Sequence, residues 1–112
     1  MPPHLPKYIC FSANKGRGAG VAIYIREKFK LLSGAHIWAE EAYQAVKLQL
    51  DKFDVIAIYR SPNIKGLESF IDFVKNIIDD SRPTIICGDM NINLIENRNS
   101  KFTKTMSSLG FI

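Results

Sequence analysis

Asp89 and Asn91 stand two residues apart, directly after Gly88 and the apolar run Thr84-Ile85-Ile86-Cys87. In open α/β sheets ligands sit at the carboxyl ends of strands, and residues two apart at a strand terminus point the same way. A carboxylate there can orient or deprotonate water, or support a metal, while a neighbouring amide can donate to a phosphoryl oxygen. A second apolar run ends in Tyr59-Arg60-Ser61-Pro62-Asn63. A phenol, a guanidinium and an amide are all donors to phosphate, and Pro62 stiffens the loop that carries them. Asp-x-Asn after a strand is also a common turn signal, so the residues by themselves leave both readings open.

Three other patterns fail on spacing. Gly16-Arg17-Gly18-Ala19-Gly20 places its third glycine one residue early for a dinucleotide fingerprint, and a strand follows where a helix is required. A hairpin turn accounts for it better. Asp89-Met90-Asn91-Ile92-Asn93 opens like a calcium loop, yet its sixth and twelfth positions are Leu94 and Ser100 where glycine and glutamate are needed. His4 and His36 have neither a carboxylate neighbour nor metal-ligand spacing. They are read as incidental.

The elements that must hold these residues follow from periodicity. Lys7 to Ser12 and Val21 to Ile25 read as strands of a hairpin around the glycine-rich turn. Residues 29–38 carry no clear pattern, because Ser33-Gly34 interrupts the apolar run. Ala45 to Leu50 alternates as a half-wet strand, Asp51-Lys52 turns, and Asp54 to Tyr59 is a second, more apolar strand. Leu67, Phe70, Ile71, Val74, Ile77 and Ile78 recur at helical spacing, with Glu68, Asp72, Lys75 and Asp79 on the other face. Pro83 ends that helix. Thr84 to Gly88 is a buried-type strand, a polar loop runs to Ser100, and Phe102 to Leu109 predicts a second helix capped by Gly110. Hairpins followed by a strand–helix–strand crossover predict an α/β arrangement with a mixed sheet.

Bulk properties exclude several classes. The chain has 112 residues, 46% hydrophobic and 23% charged, which fits one small globular domain and not a disordered chain. No apolar run approaches the roughly 18–20 residues of a membrane span, and Met1-Pro2-Pro3-His4 is no signal peptide. Cys10 and Cys87 are expected to be buried, reduced thiols, which points to a cytosolic or nuclear setting and not to secretion. Residues 7–31 hold six basic side chains, Arg17 among them, against the single acid Glu27, so the net charge of +4 is concentrated there. Such a patch attracts polyanions without specificity.

Taken together, Gly18-Ala19-Gly20-Val21-Ala22-Ile23-Tyr24-Ile25, then Ile58-Tyr59-Arg60-Ser61-Pro62-Asn63, an amphipathic helix, and Ile85-Ile86-Cys87-Gly88-Asp89-Met90-Asn91-Ile92-Asn93 resemble the endonuclease/exonuclease/phosphatase (DNase I-like) superfamily. The Tyr-Arg-x-Pro form is most similar to the endonuclease domain of non-LTR (LINE-type) retrotransposon reverse transcriptases. The resemblance runs from about Lys7 to Ile112. It implies a four-layer α/β/β/α sandwich, here partial, that hydrolyses phosphodiesters of DNA with Mg²⁺, Mn²⁺ being the alternative ion. By matching motifs, Asp89 would orient or activate the attacking water, Asn91 would steady the phosphate and the Asp, and Tyr59 would touch the scissile phosphate. Asn63 would match the Asn after Pro, with one extra residue between Tyr59 and Pro62. Arg60 and Arg17 would be nucleic-acid contacts.

The family's metal-binding Glu lies on strands upstream of Lys7 and its Asp-His pair downstream of Ile112; Glu40 and Glu41 do not match that Glu. The metal ligands of this chain are therefore unassigned. Residues 1–112 are expected to be a single domain truncated at both ends, with sheet edges and an apolar face uncovered, inactive alone, and drawn from a larger reverse-transcriptase polyprotein. Two alternatives stay open: a DNA-repair nuclease or phosphoesterase of the same fold, and a non-catalytic nucleic-acid-binding module using the basic first third.

Overall fold

A computed structural model describes residues 3–15, 20–61, 67–91 and 101–111. Strands β1 (Tyr8–Asn14) and β2 (Gly20–Arg26) pair antiparallel as a two-stranded sheet. Strands β3 (His36–Ala39), β4 (Tyr43–Gln49), β5 (Asp54–Arg60) and β6 (Thr84–Asp89) make a four-stranded sheet in that order. β3, β4 and β5 run antiparallel to their neighbours, whereas β6 lies parallel to β5 because helix α1 (Leu67–Ile77) carries the chain back between them. Helix α2 (Lys101–Ser108) follows β6. This is the mixed α/β sheet that the crossover pattern predicts.

Both faces of the four-stranded sheet are covered, and strand alternation decides which residue meets which layer. On one face Ala45, Ile56 and Ile58 bury against Phe70, Ile71, Val74 and Ile77 of α1 and Phe102 of α2. On the other, Val46 and Leu48 bury against Ala13 and Ile25 of the two-stranded sheet. The described residues thus form three layers of a sandwich: helices, sheet, sheet. α1 forms because its apolar positions fall on one stripe, and Glu68 in the first turn and Lys75 in the last complement the helix dipole. α2 closes as expected: Gly110 takes φ +94°, its N–H donates to Ser107 O at 3.1 Å, and Phe111 N–H donates to Met106 O at 2.9 Å. That is a Schellman cap.

Four expectations need amendment. β4, expected to have one wet face, is buried on both, and β6, expected to be a buried strand, is mostly exposed. The unpatterned stretch 29–38 contains a strand, β3, which pairs with β4 over four residues and presents His36 stacked on Trp38 at 6.1 Å. A four-residue edge strand is too short for alternation to declare itself. The cysteines are not both buried: Cys10 is half-buried and Cys87 exposed. Cys87 lies on β6, the sheet's edge, beyond the reach of the two-stranded sheet, and Ile85 on the same strand is 56% exposed. Among the described residues no helix is long and apolar enough to cross a membrane.

Candidate functional site

Parallel pairing sets the site. In the β5–β6 register Ile58 is opposite Gly88 and Tyr59 is opposite Asp89, both at the carboxyl ends of their strands. Residues paired in register project to the same face. Ile56 and Ile58 face the helices, so Tyr59 and Asp89 emerge on the opposite face of the sheet. The two loops read from the sequence therefore converge. Across β5 the row continues to Gln44 of β4, opposite Tyr59 and fully buried.

Gly88 makes this approach possible. Its φ is +129°, and a Cβ there would lie 1.9 Å from the carbonyl oxygen of Ile58. Only glycine fits such a backbone at such a distance. The turn after it is fixed by Asn91, itself left-handed at φ +52°, a conformation asparagine tolerates better than most residues. Asn91 N–H donates to Asp89 Oδ1 at 3.1 Å, an Asx turn that holds the carboxylate in place. Asn91 Nδ2 donates to the carbonyl oxygen of Arg60, which ties the end of β6 to the end of β5. On the β5 side, Ser61 N–H donates to Ala42 O at 2.9 Å and anchors the loop to the start of β4.

Arg60, read from the sequence as a nucleic-acid contact, does not share the face of Tyr59 and Asp89. It is 9% exposed and sits on the helix face, with its guanidinium carbon 5.6 Å from the centre of the Phe70 ring and Nη1 directed at Met90 O at 3.5 Å. Parity along β5 carries the signal: Ile56, Ile58 and Arg60 alternate onto one face and Tyr59 onto the other. Asn63 and Arg17 lie outside the described residues, as do Pro62 and Asn93. What sequence reasoning missed is Asn91's structural part, a clamp on both loops and not only a donor to ligand. Asn91→Ala is expected to lower stability by about 2 kcal/mol, from the left-handed backbone and the lost amide bond together. Asn91→Gly, which keeps the backbone, should cost less; denaturant titration of the two variants checks the order.

Among the described residues no three of His, Cys, Asp and Glu come together to hold a metal. Asp89 is a carboxylate on the shared face of the β5 and β6 termini. Mg²⁺ demands octahedral oxygen coordination, from one or two carboxylates together with substrate phosphates and water.

No family model matches the chain, and no curated protein does. Among solved structures, the chain is similar to the endonuclease domain of TRAS1, a telomere-specific non-LTR retrotransposon, at a TM-score of 0.59 and 17% identity. The match covers 95% of this chain and 54% of that one, so the chain spans about half the length of the structure it resembles. At that identity the likeness speaks to architecture. In architecture, then, the chain is an α/β sandwich with the fold of a non-LTR retrotransposon endonuclease domain.

Proposed function

We propose that this chain is the phosphate-gripping part of a DNA phosphodiesterase domain of the retrotransposon endonuclease type, working inside the cell, in nucleus or cytoplasm, beside a reverse transcriptase. The observation that carries it is the register of Tyr59 with Asp89 on adjoining parallel strand ends, on one face, with Asn91 bridging both loops. A scissile phosphate seated there would meet the phenol of Tyr59, and a water beside it would meet the carboxylate of Asp89. The carboxylate is held by the Asn91 N–H, so it is oriented before substrate arrives. Arg60 acts as a positioning residue through Met90 and Phe70. Asn63 and Arg17 are proposed as further donors to the nucleic-acid backbone.

Mg²⁺, or Mn²⁺ in its place, supplies Lewis-acid stabilisation of phosphoryl oxygens in such chemistry. The 112 residues are proposed to grip DNA without cutting it. Nicking of supercoiled plasmid with Mg²⁺ is therefore expected at background level for the chain and for Asp89→Ala alike. Asp89-dependent nicking by the chain alone would overturn the inactivity while keeping the site. The site itself is tested by following backbone amide signals as a short DNA duplex is added. Shifts are expected at Tyr59–Ser61 and Asp89–Asn91, weakened in Tyr59→Ala. Shifts confined to the basic stretch 7–31 would replace this proposal with a plain nucleic-acid-binding module.

A further inference from the structure

Arg26, Lys28 and Lys30, the last three bases of the basic stretch, lie away from Tyr59 and Asp89. They line a cavity of about 700 Å³ at the other end of the sheet, beside the β4–β5 turn. Val55, in its wall, lies four residues from Tyr59 along β5, roughly 13 Å at the rise of a strand. The floor is aliphatic: Ile23 and Ile25 from β2, Leu48 and Leu50 from the other sheet. The mouth is aromatic and cationic. Arg26 sits 5.8 Å from the centre of the Tyr8 ring, Lys28 lies 5.3 Å from that of Phe29, and Phe29 is 52% exposed. Lys30 and Lys52 complete the rim, with Asp51 as its single acid.

Apolar lining of this size is in the range of small-molecule sites. What it will accept is decided by its hydrogen-bonding capacity. Tyr24 OH already donates to Pro3 O at 2.6 Å, and Tyr8 OH accepts from Arg26 Nε at 3.3 Å. A nucleobase or a peptide would bring polar edges into a floor of Ile and Leu side chains that cannot pair them, and burying an unpaired polar group is unfavourable. An alkyl chain brings none. We propose that this cavity is a binding site for a single-chain anionic amphiphile, with its apolar body between the sheets and its carboxylate or phosphate head among Arg26, Lys28, Lys30 and Lys52. The site is independent of the phosphodiester proposal and shares no residue with it.

The test is calorimetric titration of the full chain with monomeric octanoate, decanoate and dodecanoate, with backbone amide shifts recorded in parallel. Affinity is expected to rise about fourfold for each added methylene, as burial of alkyl surface requires. Dodecyl phosphate should match dodecanoate, and dodecyltrimethylammonium should bind far more weakly. Shifts should centre on residues 23–30 and 48–55. Lys28→Glu with Lys30→Glu, both exposed and no threat to the fold, should weaken dodecanoate by about tenfold. Ile23→Trp should block the cavity with the charge untouched. Affinity independent of chain length, equal binding of the cationic amphiphile, or no binding would overturn the proposal. So would capture only by phosphatidylserine-doped vesicles, which would mark a membrane surface, or tighter binding of an oligonucleotide at the same residues.

Discussion

Gly88→Ala is expected to destabilise the chain by on the order of 3 kcal/mol, and to part β6 from β5 at the point where the candidate site is made. Two costs add. At φ +129° an L-residue is strained whatever space surrounds it, and the new methyl would lie 1.9 Å from Ile58 O, with the carbonyl carbon and the nitrogen of Ile58 each at 2.9 Å. These are backbone atoms of a central strand whose own side chain is fully buried, so they cannot move aside as a flexible side chain could. The strain is relieved only by shifting the end of β6, which breaks the register of Asp89 with Tyr59. A melting temperature lower by more than about 10 °C is expected, against a total stability of about 5–15 kcal/mol for a domain. Gly34→Ala is the control, because a methyl there meets nothing within 4 Å. Equal and small effects at the two glycines would show that the close approach at Gly88 does not hold the site together.

How far the fold could be read beforehand follows from the same contrast between local and distant information. The helical stripe of Leu67 to Ile77 and the glycine at 110 are local signals that the structure keeps, whereas Ala45 to Leu50, whose alternation reads as a half-wet strand, is buried on both faces from Ala45 to Leu48, Lys47 included. Gly88-Asp89-Met90-Asn91 was legible as a strand end, and so was the Tyr59 loop, because both follow apolar runs. Their adjacency was not. It depends on β5 and β6 pairing parallel across the whole of α1, which periodicity does not encode. Alternation says which residues share a face but not what covers it. Arg60 shares a face with Ile58 and is buried under α1; Cys87 sits in an equally apolar run and is exposed, because its strand is the edge. Asn91 shows the same limit at the site: its type suggested a donor, whereas its backbone angle and its bond to Arg60 O are consequences of tertiary structure.

Asp54→Ala is expected to cost about 3–5 kcal/mol, the range for stripping one partner from a buried ion pair. Asp54 has no exposed surface, a position a lone carboxylate does not tolerate. Arg82 Nε donates to its Oδ1 at 2.8 Å, and Lys47 Nζ stands 3.9 Å from Oδ2. Each cation does a second job. Lys47 Nζ donates to the carbonyl oxygen of Ile77 at 2.6 Å, satisfying the last residue of α1, and Arg82 Nη2 donates to Leu50 O at the β4–β5 turn. Asp54 N–H donates to Pro83 O at 2.9 Å, just before β6 begins. One carboxylate thus fastens the end of α1, the β4–β5 turn and the start of β6, though its two partners lie 7 residues before it and 28 after. Removing it leaves two cations facing each other across a mostly apolar setting. Lys47 and Arg82 keep side-chain exposures of 11% and 22%, so some water can reach them, and the lower end of the range is expected. Asp54→Asn should cost less, since the amide keeps the shape and one acceptor. Replacing all three by apolar residues, Asp54→Leu with Lys47→Met and Arg82→Met, should restore much of the loss, because the charges are then gone as a set. Urea titration separates the cases: a single Asp54→Ala within about 0.5 kcal/mol of the parent would mean the carboxylate is not what joins these three elements.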